Sequence, residues 1–126
     1  MKNEKIPEKV QQYIAGSCRP GCRVIVERNA GLTRGSKKFI AKHLPDIDGK
    51  AIGIMAHKPN GCHNCMNVWT VIAFPYCALV VKGFSFGYTG EGSRGLEWAV
   101  NLFRLFNKYP SQVIFEGSIH TEIYFS

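Results

Sequence analysis

Ile6, Val10 and Ile14 recur at i, i+4 and i+8, the period at which apolar side chains share one helix face. Pro7 suits a first helical turn and Gly16 a stop, so the spacing predicts a short amphipathic helix near residues 7–15. The β-branched run "CRVIVER" (22–28) predicts a strand. After the turn "NAGLTRG", Ser36 is placed to N-cap a second helix through Leu44, which Pro45 stops. "AIGIMAHK" (51–58) reads as a strand, and "PNGCHNC" (59–65) as a loop dense in turn formers. "MNVWTVIAF" (66–74) and "CALVVKGFSF" (77–86) read as two strands of a hairpin about Pro75-Tyr76. Leu96, Val100, Phe103 and Phe106 return to helical spacing, with Trp98, Leu102 and Leu105 widening the face. They predict a helix over 93–108 that ends before Pro110, and "QVIFEGSIHTEIYF" (112–125) closes the chain as a hairpin about Glu116-Gly117-Ser118.

The order α-β-α-β-β-β-α-β-β predicts an α+β fold: a mostly antiparallel sheet of about five to six strands with three helices packed on one side. With 126 residues, no linker and no repeat, one domain spanning 1–126 is expected. The longest apolar runs, "VIAF" and "CALVV", are too short to cross a bilayer. The opening "MKNEKIPEKV" lacks the apolar stretch of a secretory signal. The expected setting is the cytoplasm, with no membrane partner.

Charge sharpens the picture. The formal net charge of +7 lies in residues 1–58, which hold twelve Lys and Arg against five Asp and Glu, while the remainder balances. A lopsided basic half suggests an anionic partner: nucleic acid, nucleotide or acidic protein.

The stretch "GFSFGYTGEGSRGLEWAVNLF" (83–103) runs from a strand through a glycine-rich turn into a helix. Gly90, Gly92 and Gly95 form G-x-G-x-x-G, and Glu116 follows about twenty residues on, which is the layout of a dinucleotide fingerprint. Too few βαβ units surround it for a dinucleotide-binding sheet, and no G-K-[ST] follows to make a P-loop. The local physics remains. Ser93 at the expected N-cap leaves backbone N–H groups free, the helix dipole adds positive potential, and glycines allow close approach by a ligand. Arg94 in the first turn opposes that dipole unless an anion joins them. Tyr88, Phe86 and Phe84 offer aromatic faces for stacking a base. A second helix start, "GLTRGSKKF" (31–39), brings Thr33, Arg34, Ser36, Lys37 and Lys38. The candidate ligand-binding set is therefore Tyr88, Gly90, Gly92, Ser93, Arg94, Arg34, Ser36, Lys37 and Lys38.

The residues "FSFGYTGEGSRGLEWAVNLF" also resemble the signature of a family of small uncharacterised proteins, many of them encoded by phages and other mobile elements. That signature places an aromatic residue, Gly, Tyr, Gly, Gly, any residue, Gly and Pro before a leucine-rich helix. Gly87, Tyr88, Gly90, Gly92 and Leu96 fit it, whereas Thr89 and Ser93 stand where Gly and Pro are usual. The resemblance implies a viral or mobile-element origin in a bacterial host. By analogy with phage proteins that sequester nucleotide immune signals, it implies an anti-defence role.

Five cysteines are present: Cys18, Cys22, Cys62, Cys65 and Cys77. "CRPGC" and "CHNC" give C-x₃-C and C-x₂-C on two turns, so Cys18, Cys22, Cys62 and Cys65 form a candidate tetrahedral structural zinc site, with His63 able to replace one thiolate. Buried thiols are the alternative, and Cys77 in "CALVV" reads as core. A redox role for "CHNC" is weakened because a strand follows it. His57, His63 and Cys62 could make a Cys–His pair, yet no nucleophile elbow, carboxylate pair or HExxH motif is present, and no catalysis is expected.

The leading expectation is a non-enzymatic binding protein, alone or as a homo-oligomer, that sequesters a phosphorylated, nucleotide-like small molecule. The alternatives are a zinc-stapled nucleic-acid-binding module using Trp69 or Phe residues for stacking, and a protein–protein inhibitor of a host factor.

Overall fold

The computed structural model describes residues 6–27, 33–47, 50–58, 68–84, 91–106, 111–116 and 120–125; of 91–93, 103–106, 111–116, 120, 121 and 123–125 it describes the backbone alone. The elements are α1 (Glu8–Ser17), β1 (Arg23–Val26), α2 (Thr33–His43), a 3-10 turn at Leu44–Asp46, β2 (Gly53–His57), β3 (Trp69–Ala73), β4 (Cys77–Val81), α3 (Glu91–Phe106), β5 (Ser111–Glu116) and β6 (His120–Phe125). The class is α+β, with three helices and one mixed sheet in the order β1-β4-β3-β2-β6-β5.

β2–β3, β3–β4, β2–β6 and β5–β6 pair antiparallel, and the β3–β4 hairpin closes where the Phe74 N–H donates to the Cys77 carbonyl at 2.8 Å, around Pro75-Tyr76. β1 and β4 are different. They pair in parallel, Arg23 against Cys77 through Val26 against Val80. Parallel neighbours need a long connection, and here it comprises α2, β2 and β3. Hairpin signals are local, so they report adjacent antiparallel strands and cannot register this distant pairing.

Helices cover both faces of the sheet, which corrects the expectation of helices on one side. α1 turns Val10, Tyr13 and Ile14 onto Met55, Trp69, Val71, Ala73, Ala78 and Val80. The opposite face carries Ile54, Ala56, Ile72, Leu79 and Val81 under Ile40 of α2 and Leu96, Ala99 and Val100 of α3. β3 and β4 are buried at every position, which is why "WTVIA" and "CALVV" read as continuous apolar runs rather than alternating ones. α2 links β1 to β2, and α3 links β4 to β5. Each joins strands of the same direction while moving the same way across the sheet. One crossover hand therefore sets both helices on one face, while α1, which precedes β1, takes the other.

Three boundaries shift. α1 continues through Gly16 to Ser17. α2 begins at Thr33, so Ser36 lies inside the first turn and is not its cap. α3 begins at Glu91, so Ser93 likewise lies within the helix.

The start of α3 is held close to α2. A Cβ placed on Gly95 would collide with the Thr33 methyl and would lie 2.5 and 2.8 Å from the Phe84 ring. Phe84 is itself fully buried and meets Trp98 edge-on at 6.5 Å, so it has nowhere to move. Gly95→Ala gains about 1 kcal/mol in helix propensity, but the forced overpacking costs about 1–3 kcal/mol. The expected net result is a lower urea midpoint. A Cβ added to Gly16, within α1, would meet nothing within 4 Å, so Gly16→Ala is expected to raise the midpoint in the same assay, by about 0.5–1 kcal/mol.

Candidate functional site

β1 and β4 are parallel neighbours, so the segments that follow them leave the same end of the sheet. α2 starts seven residues after β1, and α3 starts ten residues after β4. The two helix starts consequently meet, with Gly95 of α3 against Thr33 of α2. Outside the carboxyl ends of parallel strands is where open sheets commonly bind ligands, because helix N–H groups and dipoles converge there.

Beneath this junction lies a buried polar bracket. Glu27, just past β1, is 4% exposed, and its N–H donates to the Val80 carbonyl at 2.8 Å. Its Oε1 accepts the Ser36 hydroxyl at 2.7 Å and the Lys82 N–H at 3.1 Å. The Ser36 Oγ in turn accepts the Gly83 N–H at 2.9 Å, and the Thr33 hydroxyl donates to the Gly83 carbonyl at 2.8 Å. Four side-chain hydrogen bonds and one main-chain bond thus tie the end of β1, the first turn of α2 and the exit of β4 into one corner. Thr33, Ser36 and Ile40 share a face of α2 at i, i+3 and i+7, so the same helical period that buries Ile40 delivers both hydroxyls to the bracket.

The candidate residues separate into groups. Arg34, Lys38 and Arg94 are exposed. Lys37 is half-buried, its Nζ 5.5 Å from the centre of the half-buried Trp98 ring, within cation–π range. Ser36 has no exposed surface and its hydroxyl is committed to the bracket, so it builds the corner from inside rather than facing a ligand. Gly92 and Ser93 lie in the first turn of α3. Tyr88 and Gly90 lie outside the described residues, as does Phe86. Phe84 and Trp69, expected as stacking aromatics, are core residues at 1% and 5% exposure. The Trp69 ring instead carries the Lys82 Nζ at 5.0 Å on the α1 side.

Sequence reasoning does not single out Glu27 or Trp98 as site residues. Glu27 offers one signal, a lone acid ending the β-branched run "RVIV". Trp98 reads only as part of a wide apolar face. Among the described residues α2 has no acidic side chain in its first turn, and Glu27, reached from β1, supplies a carboxylate to that helix start.

The thiols gather at the opposite end of the same strand pair. Arg19, Pro20, Gly21 and Cys22 form a tight turn, with the Cys22 N–H donating to the Arg19 carbonyl at 3.1 Å and Gly21 at φ +79°. The Arg19 N–H donates to the Pro75 carbonyl at 2.9 Å, so this turn sits on the β3–β4 hairpin. Cys18, buried, donates its thiol to the Cys77 carbonyl at 3.6 Å. Burial, then the hydrogen bond and charge of Cys22, pushes Cys18 up from 9.0 to about 12, and burial raises Cys77. Cys62, His63 and Cys65 lie outside the described residues, and among the described residues no group of three or more His, Cys, Asp or Glu is arranged to hold a metal.

No known protein family, curated protein or solved structure matches the chain. No helix among the described residues is long and apolar enough to cross a membrane.

Ser36→Ala removes two bracket bonds and leaves the Gly83 N–H without its acceptor, so it is expected to lower stability by about 1–3 kcal/mol in urea denaturation. Lys38→Ala on the exposed face is expected to stay within about 0.5 kcal/mol. For the thiols, peptide mapping after native iodoacetamide treatment is expected to show half-buried Cys22 modified well before Cys18 and Cys77. The raised Cys18 pKa keeps its proton on the folded chain after an unfolded thiol would lose it. Its contribution to stability is therefore complete below about pH 9 and declines as pH rises toward 12.

Proposed function

We propose that the protein binds a phosphorylated, nucleotide-like small molecule at the paired starts of α2 and α3, and that it acts by holding the ligand without turnover. The observation that carries this reading is the contact of Thr33 with Gly95, because it brings together two helix starts, each with an exposed arginine, that are far apart in sequence. Arg34 and Arg94 each follow or precede one member of that contact, and both are exposed. Two cations beside two positive helix ends repel one another unless an anion bridges them.

The two helix starts have unequal capacity for a ligand. Glu27 already supplies α2 with an internal anion, through Ser36. α3 therefore provides the more open dipole, with the N–H groups of Gly92, Ser93 and Arg94 in its first turn. In this reading Arg94 and those N–H groups hold a phosphate, Gly90 lets the loop approach it, and Arg34, Lys37 and Lys38 add charge. Tyr88 stacks the base. Ser36 holds the corner that sets the spacing. The resemblance to mobile-element proteins suits a nucleotide immune signal as the ligand and the bacterial cytoplasm as the setting.

A structural zinc on Cys18, Cys22, Cys62 and Cys65 would act as a separate staple. It would require Cys18 to exchange its bond to the Cys77 carbonyl for metal, as a thiolate. The nucleic-acid reading is weaker, since Trp69 is buried.

Isothermal titration with linear and cyclic nucleotides tests the proposal. Saturable binding is expected to at least one of them, with the ligand recovered chemically unchanged. Arg94→Ala is expected to weaken it by about tenfold or more, the scale of a lost charge-assisted hydrogen bond, with an unchanged melting temperature because the side chain is exposed. Affinity that is indifferent to Arg94→Ala, or no binding across the panel, would contradict the proposal.

A further inference from the structure

Among the described residues, the outer edge of β1 is an open hydrogen-bonding surface. In the parallel ladder alternate residues bond inward. The Arg23 N–H donates to the Tyr76 carbonyl at 3.0 Å and the Glu27 N–H to the Val80 carbonyl at 2.8 Å, so Arg23, Ile25 and Glu27 face β4. The backbone groups of Val24 and Val26 consequently point away from the sheet. Neither residue has a hydrogen-bond partner on that side among the described residues.

The side chains around this edge share one character. Among the described residues, Val24 and Tyr76 are the exposed large apolar side chains, at 40% and 59%. They flank the first rung of the ladder, since Arg23 registers with Cys77, Val24 follows Arg23 and Tyr76 precedes Cys77. Arg23 is exposed, and the exposed Arg19 guanidinium lies 5.1 Å over the Tyr76 ring. Open edges in stable proteins are commonly blunted by a bulge, a proline or an inward charge. The opposite edge strand, β5, has a register irregularity between Val113 and Phe115. β1 has a regular register and no proline.

The geometry points to β1 as a docking edge for an extended, acidic segment of a partner protein, added as a further strand. Main-chain bonds to Val24 and Val26 would supply affinity, and apolar side chains at alternate positions of the segment would cover Val24 and Tyr76. Arg19 and Arg23 would select acidic residues between them. Charge argues against a second copy of this chain as the occupant, because each copy carries +7 with Arg19 and Arg23 at the pairing edge. This surface lies on a strand flank, apart from the helix starts, and does not depend on nucleotide binding.

The test uses the full chain and a labelled, blocked peptide alternating Glu and Val over six residues. Fluorescence anisotropy is expected to show saturable binding. A Lys-Val peptide is expected to bind at least about tenfold more weakly, and an acidic peptide N-methylated at alternate positions is expected not to bind. Native amide exchange at Val24 and Val26 is expected to be fast in the free chain and slowed by the acidic peptide. Val24→Pro deletes one outward N–H at an edge position that tolerates proline, and is expected to weaken binding by about tenfold or more. Because proline also fixes φ, Arg23→Glu gives a second test on an exposed side chain: it is expected to reverse the preference toward the Lys-Val peptide. Absence of binding near 1 mM peptide (about the weakest affinity of interest), equal binding of the N-methylated peptide, or amides already protected in the free chain would overturn the proposal. So would a dimer of the wild-type chain that Val24→Pro dissociates, since a second copy would then be the occupant.

Discussion

A buried carboxylate at the end of β1 organises the end of the sheet where the candidate site lies. Burying an ionisable group without partners costs several kcal/mol, and Glu27 meets that constraint with the Ser36 hydroxyl and the Lys82 N–H. Those partners come from α2 and from the exit of β4, so satisfying one side chain fixes three segments relative to each other. Gly83, bonded through both its N–H and its carbonyl to α2, then sets the path by which the chain leaves β4. Thr33 and Phe84, which flank Gly83 in this corner, both lie against Gly95, and only glycine fits there. The internal anion and the close approach of the helix starts therefore have a common origin.

The parallel β1–β4 pair gives this arrangement its direction. Its carboxyl end carries the bracket, two helix starts and the cations Arg34 and Arg94. Its amino end carries the tight turn at Pro20-Gly21 and the buried thiols of Cys18 and Cys77. Its outer flank carries the backbone of Val24 and Val26, which has no partner among the described residues. The separation gives each surface its own character: exposed cations beside two helix starts at one end, buried thiols at the other, and, among the described residues, main-chain groups without a partner along the side.

Local patterns in the sequence are informative wherever neighbours in sequence are neighbours in space. The i, i+3, i+4 spacing in α1 and α3 locates both helices, and the Pro75-Tyr76 turn locates the central hairpin. Boundaries drift where a polar residue has two possible employments. Ser36 has the chemistry of an N-cap, but its hydroxyl serves Glu27, nine residues away in sequence, and the helix starts earlier. Trp69 and Phe84 have the chemistry of stacking platforms, yet Trp69 belongs to "WTVIA", whose continuous apolar run reflects burial on both faces, and Phe84 is packed against α3. For the candidate site, Arg34 and Arg94 are recognisable from their turns. Their convergence depends on the long-range β1–β4 pairing, and the same pairing explains why Glu27 does not stand out in the sequence.

If the joined starts of α2 and α3 form one anion-binding place, amide chemical shifts followed during titration with inorganic pyrophosphate will show it. The N–H signals of Thr33, Arg34, Arg94 and Gly95 are expected to move together along one saturating curve, while those of Val24 and Cys18 stay in place. Signals at those four positions that do not move, or that drift without saturation alongside Lys and Arg amides all over the surface, would contradict it.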